Sequence, residues 1–204
     1  MKSKNDIIEL GKEKLQQLRM IFDELEVQLA LGKAEAKETF EREKQNMSQF
    51  IEEQKIRFRK EQALSEDKWQ NLLATFEALE VELNAETPVE KSTYDEQKSK
   101  TLQRIYELEH TMKESYGDLG ASLREQLDAF KARLDAYRIQ LALSEFGDQE
   151  AAESRRFELR EKVIEIQAYM RKEEANANKI DDFVSEISTS FEHLKKAFSD
   201  LFAN

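Results

Sequence analysis

The chain has 204 residues, 32 basic and 43 acidic side chains and a net charge of −11, with 37% of its residues charged and 39% hydrophobic. Five Gly and one Pro fall well short of the roughly 12% that the two contribute to globular chains, leaving too few turn residues for a many-stranded sandwich or barrel. The absence of Cys removes disulfides, thiolate zinc sites and Cys nucleophiles together, and the acidity opposes broad binding to nucleic acid or anionic membrane, which carry the same sign.

No run of 18 apolar residues occurs, so no membrane span is expected. From Met1 the chain meets charge at Lys2, Lys4, Asp6 and Glu9, which leaves no apolar core for a secretory leader and points to a cytoplasmic location. The first amphipathic phrase follows: Leu15, Leu18, Phe22, Leu25 and Leu29 step by 3 and 4, the spacing of a helical seam. The phrase returns as Trp69, Leu72, Phe76, Leu79 and Leu83, and again as Leu127, Phe130, Leu134, Tyr137 and Leu141, at offsets of 54 and 58 residues. The match continues in register: Val27 with Val81 and Ile139, Phe40 with Tyr94, and Ile51 with Ile105 and Val163. One unit used three times is the simplest reading.

The expected fold is all-α: an elongated antiparallel bundle of three long helices, over about residues 5–62, 66–116 and 121–175, with a shorter amphipathic helix packed on it over residues 177–204. At 1.5 Å per residue each long helix would reach on the order of 75 to 85 Å. Ser65-Glu66-Asp67 reads as a cap with two acids behind it, and Ser122-Leu-Arg-Glu125 as a capping box after Gly117 and Gly120. Gly32, alone against helix among good helix formers, is read through at a cost of about 1 kcal/mol. Thr87-Pro88-Val89-Glu90 reads as a second capping box with Pro at the first helical position, and Gly147 lies near the corresponding place in the third segment, so a kink or break is expected at mid-segment. The alternative architecture is six short helices in hairpins.

Two clusters are candidate sites. Lys55, Arg57, Arg59 and Lys60 gather basic charge where the first segment ends, as an anion contact or simply as cations suited to a helix C-terminus. The last segment carries Ile180, Phe183, Ile187, Phe191, Leu194, Phe198 and Leu201 on one face, opposite Asp181, Asp182, Glu186, Glu192 and Asp200. That face suits a protein partner or a lipid surface, although the polar side holds only Lys195 and Lys196 to attract anionic lipid. Glu107 and His110 have the Glu-x-x-His spacing of di-iron bundles, but Ser190 precedes His193 where a second motif would need Glu, so no metal, cofactor or catalytic residue is expected.

The run Leu25-Glu26-Val27-Gln28-Leu29-Ala30-Leu31-Gly32-Lys33-Ala34-Glu35-Ala36-Lys37-Glu38, followed by Phe40 and a charged helix, resembles a family of small bacterial coiled-coil proteins described as stress-responsive and largely uncharacterised. The likeness covers about 40 residues, with echoes at Val81-Glu82-Leu83 and at Ile139-Gln140-Leu141-Ala142-Leu143. It implies a cytoplasmic all-helical protein without enzymatic residues to carry over. A looser likeness of long kinked helices to membrane-curving BAR-type modules, and of repeated amphipathic helices to exchangeable apolipoproteins, is architectural only. The function expected is therefore a non-catalytic structural or protein-interaction coiled coil, working through a protein partner or self-association. A lipid-surface protein is the first alternative, and a metal-binding helical-bundle enzyme the second.

Overall fold

The structure, a computed structural model, describes residues 16, 19–61, 65–116, 120–145 and 149–174. Every regular element among them is a helix: α1 over 19–30, α2 Lys33–Glu61, α3 Glu66–Asn84, α4 Lys91–Tyr116, α5 Ala121–Ser144 and α6 Gln149–Glu174. Each expected long helix is thus two helices, which corrects the reading of continuous helices over 5–62, 66–116 and 121–175. The interruptions follow residue 30, Asn84 and Ser144, close to equivalent places in the three segments. The proposed C-terminal helix over 177–204, with Phe183, Ile187, Phe191, Leu194, Phe198 and Leu201, lies outside the described residues.

The contacts divide the chain into two compact units, Lys33–Leu134 and a second made of Met1–Gly32 with Asp135–Asn204. In the first, α2, α3 and α4 run up, down and up. Phe58 of α2 meets Phe76 of α3 at 6.4 Å between ring centroids, while at the other end of the pair Lys44 reaches Thr87, just beyond α3. α3 and α4 pack along each other as a hairpin, and residues 121–134 of α5 join them: Tyr94 donates its hydroxyl to the Leu134 carbonyl at 2.9 Å. Phe40 lies edge-on to Tyr94 at 5.8 Å and stacks on Phe130 at 6.3 Å. Two residues at matching repeat positions, Phe40 and Tyr94, therefore touch in the core.

In the second unit Phe22, Leu25 and Leu29 of α1, Tyr137, Leu141 and Leu143 of α5, and Leu159 and Val163 of α6 are buried. Gln167 of α6 donates to Asp23 at 2.8 Å, and Gln140 of α5 donates to the Leu31 carbonyl at 3.1 Å, meeting an acceptor left open where α1 ends. The matching residues Gln28 and Gln140 are both buried, and the side-chain oxygen of each lacks a hydrogen-bond partner.

All the described seam residues are buried, as are Ile51, Ile105 and Val163 at one shared position. At the other matched position Val27 and Val81 are 48% and 68% exposed and Ile139 is half-buried, so that apolar position is not core. The helix starts also differ in detail from the expected caps. Ser65 stands at the N-cap of α3 but makes no side-chain cap bond. α5 begins one residue before Ser122, after Gly120, whose φ of 74° suits a residue without Cβ and whose carbonyl accepts from Arg124. α4 begins at Lys91, not Pro88, because Thr87 faces α2 instead of capping α4.

Candidate functional site

The turn between α3 and α4 explains the failed capping box. Thr87 is 1% exposed; its N–H donates to Glu41 at 3.0 Å, and its hydroxyl accepts from Lys44 at 2.9 Å. Lys44 also donates to the Ala85 carbonyl. A threonine hydroxyl held in this way cannot cap the following helix, and Pro88, lacking an N–H, leaves the turn without a donor that would need a partner there. Burial lowers the Lys44 ammonium from its ordinary value, and the Glu41 carboxylate offsets that only in part. Burial alone would raise Glu41, but the hydrogen bond from Thr87 and the charge of Lys44 outweigh it, so its carboxyl sits below the ordinary range. The cluster is a structural clasp on the hairpin.

Along the hairpin lies a groove of about 680 Å³, lined by Thr75 of α3 and by Ser99, Leu102, Gln103, Tyr106, Glu107, His110 and Thr111 of α4. Leu102 and Tyr106 are its large apolar lining residues, Leu102 half-buried and Tyr106 56% exposed. The Lys131 ammonium lies 5.2 Å from the centre of the Tyr106 ring, which holds one side of that ring against α5. Sequence periodicity missed this surface because Tyr106 follows Ile105, the buried residue matched with Ile51 and Val163, and falls off that face. An aromatic residue outside the seam was the available signal.

The basic cluster is brought together but largely engaged within the chain. Lys55 contacts Glu80 across the α2–α3 interface at 2.9 Å and Glu52 on its own helix; burial would lower its ammonium, but these hydrogen bonds outweigh that and raise it. Arg59 lies 5.1 Å from the Trp69 ring and 3.5 Å from Glu66, and Arg57 lies 5.1 Å from the Phe58 ring. Lys60 is exposed in the last turn of α2. Trp69 is itself buried, as its seam position implies.

His110 is a rim residue, 3.4 Å from Glu114 one turn on, and its imidazole is 72% exposed. Glu107 accepts from Arg104 at 2.7 Å and from Gln103 at 2.9 Å instead of converging with His110. The Arg104 and Gln103 hydrogen bonds, in that order, hold its carboxyl below the ordinary range. Among the described residues no three His, Cys, Asp or Glu side chains gather as metal ligands, and no helix is long and apolar enough to cross a membrane. No protein-family model, curated protein or solved structure matches the chain.

Proposed function

We propose that this protein is a non-catalytic helical interaction module of the coiled-coil stress-response type, and that the groove along α4 takes an amphipathic helix of a protein partner, in the simplest case another copy of the chain. One observation carries this reading. Leu102 and Tyr106 present apolar surface over a concavity about three turns long, which is the form of a helix-in-groove contact. Elsewhere in the same unit Lys44, Lys55 and Lys131 are committed to neighbouring helices and to the hairpin turn, as expected of a scaffold.

Analytical ultracentrifugation across a wide concentration range tests the reading. The protein should associate, and Tyr106→Glu should remain monomeric with unchanged far-ultraviolet circular dichroism. Equal behaviour of the two proteins rejects self-association through the groove. Stoichiometric iron, manganese or zinc that is lost in His110→Ala would replace the reading with a metal-dependent one.

A further inference from the structure

Helix α4 carries a second 3,4 stripe, on the side away from its core residues. Glu96, Ser99, Gln103, Tyr106, His110 and Lys113 are spaced 3, 4, 3, 4 and 3, and every one of them is exposed. Tyr94, Ile105, Leu108 and Met112 are buried on the other side of the helix. A 3,4 spacing is the seam of a two-helix contact, so a helix laid along the α4 groove meets these six residues in turn. Gln103 and His110 reach only along their own helix, to Glu107 and Glu114, and among the described residues Glu96 and Lys113 have no ion-pair partner.

We infer that the occupant of the groove is α4 of a second copy, running antiparallel about a two-fold axis that passes between residues 104 and 105. The inference rests on the groove reading above and adds the partner and its register. The stripe's spacing reads the same in both directions, as an antiparallel pair of identical helices requires. In this register Glu96 faces Lys113 of the second copy, Ser99 faces its His110 and Gln103 faces its Tyr106, and each pair occurs twice. Both ends are closed by opposite charges, and the two tyrosines flank the centre beside the half-buried Leu102 of each copy. At the edge of the contact Lys100 comes beside Glu107 of the second copy, the place where charged residues set partner and orientation. A parallel pair would instead set Glu96 against Glu96 and Lys113 against Lys113, and a shift of one heptad either way leaves no pair of opposite charges in the stripe.

Charge exchange in the full chain tests the contact by sedimentation velocity. Glu96→Lys and Lys113→Glu should each associate several-fold more weakly than the unsubstituted protein, because each sets like charges against one another at both ends. An equimolar mixture of the two variants should associate again, since every end pair is then one cation and one anion. The lack of Cys allows the direction to be read directly. Ser99→Cys and His110→Cys chains, mixed and mildly oxidised, should give a disulfide-linked dimer, whereas Ser99→Cys alone, with its two sulfurs about 16 Å apart along the helices, should give several-fold less. All these positions are exposed, and circular dichroism checks that each variant keeps its helix content. Equal cross-linking of Ser99→Cys with itself would overturn the antiparallel register. Association that Tyr106→Glu abolishes but neither charge variant weakens would reject this pairing and keep the groove as the contact. An unsubstituted protein that stays monomeric would reject the second copy as occupant and leave the groove to a helix of another protein.

Discussion

Lys44 and Lys131 share a local signature and end in opposite states. Each follows an acid by three residues, Glu41 and Asp128, and each bonds or approaches that acid, at 3.6 and 3.0 Å. Across the interface Lys131 meets a second carboxylate, Glu109, at 2.6 Å, whereas Lys44 meets the neutral hydroxyl of Thr87 and the Ala85 carbonyl. Burial lowers both ammonium groups; at Lys131 the hydrogen bonds and charges of Glu109 and Asp128 outweigh it and the pKa is raised, while at Lys44 burial prevails. Lys55, with Glu52 three residues before it and Glu80 across the interface, follows Lys131. The sign of the shift is set by the group on the neighbouring helix or turn, because one partly solvated carboxylate does not offset desolvation of a cation.

The largest expected effect is at the hairpin clasp. Lys44→Ala leaves the Ala85 carbonyl and the Thr87 hydroxyl without their donor and should cost about 2–4 kcal/mol in urea unfolding, given about 1–3 kcal/mol for each stranded buried group. A loss below about 0.5 kcal/mol would show that the turn holds without it.

Converting the second lysine into the first is the next test. Glu109→Gln removes the facing carboxylate and should cost about 1–2 kcal/mol, the order expected of a hydrogen bond to a charged group, and should bring the Lys131 pKa down toward that of Lys44. Side-chain NMR titration of Lys131 would check the direction; a value unmoved by the substitution would place its stabilisation elsewhere.

Alkaline pH should separate the two lysines by sign. The raised pKa of Lys131 means that its contribution is complete below the ordinary lysine value of 10.5 and is lost as pH rises through the folded value. The lowered pKa of Lys44 means that stability grows as pH rises from its folded value up to 10.5, as the folded protein sheds a proton that the unfolded chain still holds. Relative to wild type, Lys131→Met should therefore close its deficit above that pH, and Lys44→Met should widen its own below it. Parallel profiles would refute the contrast.

The smaller effects concern local partners and glycines. Glu41→Gln keeps an acceptor for the Thr87 N–H and loses only a charge at 3.6 Å, so it should cost about 0.5–1 kcal/mol. Gly32→Ala should stabilise by about 0.4–1 kcal/mol by restricting the unfolded chain, since Gly120 is the described glycine with positive φ and Gly32 is not. Thermal melts of the two variants would show opposite shifts.

What the sequence determined by itself is what repeats locally. The 3,4 spacing of apolar residues was enough to identify helices and the buried side of each, and Trp69, Phe76, Phe130 and Tyr137 are buried where that spacing puts them. A single helix face is a property of nearby residues, so periodicity reads it directly. Tertiary structure alone decided where the helices stop and what the polar residues do. Gly32 cost too little to predict a break, and Pro88 was assigned to a cap because nothing local shows that Glu41 and Lys44, more than 40 residues earlier, would bind Thr87 first. The groove at Tyr106 escaped for the same physical reason: whether an apolar residue is core or contact surface depends on which neighbour covers it, and that neighbour lies far away in the chain.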